Sequence, residues 1–100
     1  MSVRSEFDRY VGCCIDFLEA SGSEGAYAWA TRLLEARAIS KGDLDTAAAR
    51  VLSFAAATPS IEAIEFSSGA ESDAFRDICG PMLELSRAIT GIPADRASDG

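Results

Sequence analysis

The 100-residue chain contains no histidine. That removes the commonest general base, the commonest metal ligand and the usual proton switch near neutral pH. Cysteine is scarce and odd in number, at Cys13, Cys14 and Cys79. Neighbouring Cα atoms across a trans peptide lie about 3.8 Å apart, below the usual disulfide range of about 4.4–6.8 Å, so a Cys13–Cys14 bridge would be strained. Cys14 and Cys79 fall instead on apolar helical faces. The first residues, Met1-Ser-Val-Arg-Ser-Glu6, lack a leader core. The expectation is three reduced thiols in the cytoplasm. Nor does any apolar run approach the roughly 20 residues that a membrane helix requires.

Basic residues are also in deficit, nine against sixteen acids, for a net charge of −7. The imbalance is uneven. Residues 1–57 carry eight acids and six bases, a net of −2, whereas residues 58–100 carry eight acids and three bases, a net of −5. Phosphate backbones and anionic membranes would repel such a chain, while a basic protein surface would attract it. Hydrophobic residues make up 48% of the sequence, enough for one domain core and no more.

What is abundant is helical periodicity. Phe75, Ile78, Met82, Leu85, Ile89 and Ile92 recur at alternating spacings of three and four, a heptad-type stripe on one side of a helix. Shorter stretches of the same kind precede it. Phe7, Tyr10, Val11, Cys14, Phe17 and Leu18 mark a first helix over 4–20, broken by Ser21-Gly22-Ser23. Ser23 then caps a second helix over 24–38, whose broad apolar arc holds Tyr27, Ala30, Leu33, Leu34 and Ala38.

Ser40 and Asp43 have the spacing of a capping box for a third helix, and Ile39 with Leu44 fits its hydrophobic staple. Leu44, Ala47, Val51, Phe54 and Ala55 continue that helix, and Thr58-Pro59 ends it and can cap another. Residues 60–66 are expected to be helical rather than extended, because a lone strand would have nothing to pair with. Ser67-Ser68-Gly69 is a turn. The last helix spans 70–90, capped by Ser68 or Ser72 and closed by Gly91 with Pro93 beyond. Gly80-Pro81 interrupts it in phase, which predicts a kink. The fold expected is an all-α, compact bundle of four to five short helices, last helix kinked at Gly80-Pro81, with a single domain over 1–93 and a disordered tail over 94–100.

Motifs that carry chemistry fail one by one. A helix-turn-helix across Arg37–Asp43 would present Asp43 and Asp45 to phosphates. A calcium loop opening at Asp43 needs glutamate at position twelve, where Phe54 stands. Gly22-Ser-Glu-Gly25 is neither a nucleophile elbow nor a phosphate loop. The cysteines lie in helix interiors with no histidine to activate them. No catalytic residue, metal ligand or cofactor site is expected, and the chain is read as non-enzymatic.

The remaining candidates are surfaces. Asp73, Asp77 and Glu84 lie opposite the apolar seam, with Glu62 and Glu65 just before them. Asp73 with Arg76, and Glu84 with Arg87, are i,i+3 partners that would partly neutralise this stripe. Trp29 sits at the edge of the apolar arc, where a tryptophan can anchor an interface. The expected function is therefore that of a small acidic module that binds a basic protein, one that itself handles nucleic acid, as an inhibitor or regulatory adaptor. The alternative is a homo-oligomeric structural subunit, in the simplest case a homodimer, whose apolar helix faces are completed by self-association.

Overall fold

The first helix, α1, spans Val3–Ser21 and begins where the Ser2 hydroxyl accepts the Ser5 amide at 3.1 Å. It stops because Gly22 adopts the left-handed conformation, φ 73°, that a side chain would oppose. Its inward face carries Phe7, Val11, Cys14, Ile15 and Leu18, the i, i+4, i+7 spacing expected of a helix packed on one side. The computed structural model describes residues 2–57, 60–64, 66 and 68–91, save for the side chains of Glu24 and Glu62.

Helix α2, Glu24–Ser40, is capped by Ser23, whose side chain accepts the Ala26 amide. It runs two residues further than the sequence predicts, and the reason overturns the expected capping box. Ser40 stays helical and donates its hydroxyl to the Arg37 carbonyl at 2.6 Å. Asp43 is the N-cap of α3, Leu44–Ala56: its backbone is extended and its carboxylate accepts both the amide and the hydroxyl of Thr46. The Asp43 carboxylate, with a threonine three residues ahead, takes the N-cap place that the box would have given to Ser40.

Of residues 60–66, expected to be helical, Ile61–Ala63 form a single 3-10 turn and the chain is extended at Ile64. Ile61 is nevertheless fully buried and pins this segment to the core. The predicted Thr58-Pro59 cap, Glu65, Ile92, Pro93 and the tail lie outside the described residues. Helix α4, Gly69–Thr90, opens on Ser68, which accepts the Glu71 amide, and closes on Gly91 at φ 74°. It is one continuous helix with Pro81 inside it.

Four α-helices thus build an all-α bundle among the described residues. Each packs on the next, and α4 returns to α1, so the ring closes around one core. Phe7, Leu18, Leu33, Val51, Phe75 and Met82 are almost wholly buried there, each side chain contributing about 1.5–3 kcal/mol. Phe17, Phe66 and Phe75 cluster at centroid distances of 5.3–5.7 Å, edge-on or tilted to one another, where α1 meets α4.

The apolar seam of α4 is rotated from its expected position. Phe75 and Met82 are buried, but so are Cys79, Leu83 and Ser86, while Ile78, Leu85 and Ile89 are only partly covered. A helix held by both α1 and α3 buries a broad arc rather than a single stripe. Ser86 can enter that arc because its hydroxyl is satisfied by the Met82 carbonyl at 2.8 Å.

Candidate functional site

The arc that α4 buries determines what it exposes. With Phe75, Cys79, Met82, Leu83 and Ser86 inward, Asp73, Asp77 and Glu84 all face solvent. Their spacings of four and seven put them in one line, and eleven residues of helix make that line roughly 16 Å long. Arg76 reaches Asp73 at 3.5 Å, with both side chains more than half exposed. Such a surface pair is worth about 0–1 kcal/mol and leaves the line's character acidic. Glu84 and Arg87 form no ion pair among the described residues.

Pro81 adds to this face. Proline has no amide hydrogen, so the Asp77 carbonyl, four residues earlier, has no helical donor. Gly80 leaves the surface beside it without a side chain. The centre of the acidic line therefore combines carboxylates with a carbonyl that lacks its usual i+4 amide donor, a surface suited to arginine or lysine donors. Of the other acids expected here, the Glu62 side chain and Glu65 lie outside the described residues.

Trp29 belongs to the core. It is 7% exposed, its ring meets Phe54 edge-on at 5.4 Å, and the Arg32 guanidinium lies 4.5 Å from its centroid. The exposed aromatic of α2 is Tyr27, at 63%, with Leu34 at 48% one heptad further on. The sequence pattern places both in the apolar arc of α2, because the apolar residues of this helix run around both of its sides.

A second polar feature lies where α1 meets α2. Arg37 donates from Nε to Asp8 Oδ1 at 2.7 Å and from Nη2 to Oδ2 at 3.0 Å. Gly12 lies beside the guanidinium, which sits 3.7 Å from where a Cβ would be. The bonds from Arg37 hold the Asp8 carboxyl below its usual range against the opposing effect of burial, and Asp8 in turn raises Arg37. Arg4, Ser5, Ser40 and Lys41 line the adjoining groove. Twenty-nine residues separate the ion pair, so no local pattern could have announced it.

The thiols have unequal environments. Cys13 is exposed, whereas Cys14 and Cys79 are buried side by side between α1 and α4. The Cys14 thiol also points at the Ile78 carbonyl at 3.8 Å. Its contact with Cys79 and its burial push its pKa far above the ordinary thiol value. Among the described residues no three metal-ligating side chains gather, and no helix is long and apolar enough to cross a membrane.

Comparison of the chain with family models, curated proteins and solved structures finds no significant match.

Proposed function

We propose that this chain is a non-enzymatic protein-binding module, an inhibitor or regulatory adaptor, that presents the outer face of α4 to a basic protein. The observation that supports this most is the alignment of exposed Asp73, Asp77 and Glu84 around the Gly80-Pro81 interruption. Attraction would steer a positively charged partner to this face, and charge-assisted hydrogen bonds to the carboxylates would fix its register. A bend at Gly80-Pro81 belongs to the same proposal, opening the helix surface between Asp77 and Glu84. So does a reducing, cytoplasmic setting, in keeping with three free thiols. Glu62 and Glu65 would extend the acidic surface. The partner would be a protein that handles nucleic acid, with direct nucleic-acid and membrane binding opposed by the net charge of −7.

Capture by the immobilised protein from extracts of its own source cells, at low and at high salt, tests this. A basic protein retained at low salt and released at high salt is the expected result. Retention indifferent to salt, or none, contradicts it.

A second reading, self-association into a structural subunit, is favoured by one specific observation. Tyr27 and Leu34 stand exposed on the outer face of α2. Light scattering separates the two, since a free adaptor is monomeric and a structural subunit is not.

A further inference from the structure

The two buried thiols stand on different helices and meet in the core. Cys14 lies midway along α1 and Cys79 midway along α4, and neither exposes any surface. The Cys14 sulfur approaches the Ile78 carbonyl to 3.8 Å, and that carbonyl belongs to the peptide bond leading into Cys79. The two cysteine side chains are themselves in contact. Cys13 takes no part. It is exposed, and one helical step turns it about 100° from Cys14 around α1.

A single buried cysteine is a small apolar filler. A facing pair has a second covalent state open to it, provided that the sulfurs can close from contact to a bond of about 2.05 Å. The backbone beside Cys79 suits that closure. Gly80-Pro81 follows directly, and Pro81 leaves the Asp77 carbonyl without its usual donor, so α4 is least braced against a small shift just here.

We propose that Cys14 and Cys79 form a redox pair, a dithiol under reducing conditions and, under oxidising ones, a disulfide that ties α1 to α4. The oxidant is a low-molecular-weight disulfide of the glutathione type. One cysteine attacks it as the thiolate, which releases one small thiol and leaves a mixed disulfide. The other cysteine attacks the protein sulfur of that mixed disulfide, forming the Cys14–Cys79 bond and releasing the second small thiol. The two protein thiols thus lose two electrons and two protons, and the small disulfide takes them up as two thiols.

Both sulfurs are covered, so exchange proceeds while α1 and α4 are parted, and the bond once made holds them together. It joins positions 14 and 79, and closing so long a loop restricts the unfolded chain strongly. It also fastens α4 to α1 two residues from Asp77, whatever the outer face of α4 binds.

Prolonged incubation of the full chain in glutathione buffers of graded ratio, followed by acid quenching, alkylation and tryptic peptide mapping, tests the proposal. Trypsin leaves Cys13 and Cys14 in the peptide Tyr10–Arg32 and Cys79 in Asp77–Arg87. These two peptides should emerge linked, from the wild type and from Cys13→Ser alike. Intact Cys13→Ser should be lighter by about two mass units, the two hydrogens lost. Its oxidised form should melt about 10 °C or more above its reduced form. Cys14 and Cys79 that stay reduced in the most oxidising buffer, even when the chain is refolded from denaturant in it, overturn the pair. A link present in the wild type and lost in Cys13→Ser overturns the choice of sulfurs. A link that lowers the melting temperature overturns it too, because the sulfurs would then meet only by distorting the α1–α4 packing.

Discussion

Asp8 and Arg37 join α1 to α2 through two parallel hydrogen bonds, at 2.7 and 3.0 Å, with each side chain 39% exposed. Bidentate geometry makes this pair stronger than an ordinary surface contact, while its exposure limits it to about 0.5–1 kcal/mol.

Its pH dependence follows from the depressed Asp8 carboxyl. A carboxyl whose folded pKa lies below its unfolded value of about 3.9 stabilises the fold above that value, and the contribution fades as pH falls through the folded pKa. Arg37, raised by the same bonds, adds nothing that changes in the accessible range. Asp8→Asn should therefore be less stable than wild type by a constant margin from about pH 5 to pH 9, and the gap should close below about pH 4. Chemical denaturation across that range measures it. A gap that widens in acid contradicts the assignment.

Gly12 lies beneath this pair in the interior of α1. A Cβ there would meet the Arg37 guanidinium at 3.7 Å, an ordinary contact, and the backbone is helical. Gly12→Ala should accordingly stabilise the protein by about 0.5–1 kcal/mol through helix propensity. A loss of stability in thermal melts would show that the ion pair needs more room than the helices leave.

Two serine- and aspartate-capped alternatives for α3 can be told apart by substitution. Asp43 accepts two bonds from Thr46, whereas Ser40 is buried in the last turn of α2. Asp43→Ala should cost about 1 kcal/mol, and Ser40→Ala clearly less. The reverse order would restore the capping box that the sequence pattern implies.

The three thiols should react in two classes. Cys13 is exposed, while Cys14 and Cys79 are fully covered, and the Cys14 thiol is held protonated by Cys79 and by burial. Titration with an aromatic disulfide reagent should consume one equivalent quickly and the other two only on unfolding. Three fast equivalents would mean that α1 and α4 separate readily.

How much of this was legible beforehand depends on range. Ser21-Gly22-Ser23 and Gly91 mark helix ends by local backbone chemistry, and the structure places ends at Ser21, Glu24 and Thr90 accordingly. Asp73, Asp77 and Glu84 could be put outside because periodicity fixes one face once the other is assigned. The number of neighbours around α4 could not be read, so the buried arc extended past the seam to Cys79, Leu83 and Ser86. Trp29 depends on Phe54 and Arg32, the former twenty-five residues away. Asp8 and Arg37 meet only because the hairpin folds back.

The acidic face of α4 is the centre of this account, and charge reversal on it is the most direct test. Asp73→Lys/Asp77→Lys changes the net charge by four units at the proposed face, and Glu35→Lys/Asp45→Lys changes it equally on α2 and α3. Quantitative capture of basic proteins should be lost with the first variant and retained with the second. Equal loss with both variants would reduce the interaction to net charge, and capture untouched by Asp73→Lys/Asp77→Lys would show that α4 is not the binding face.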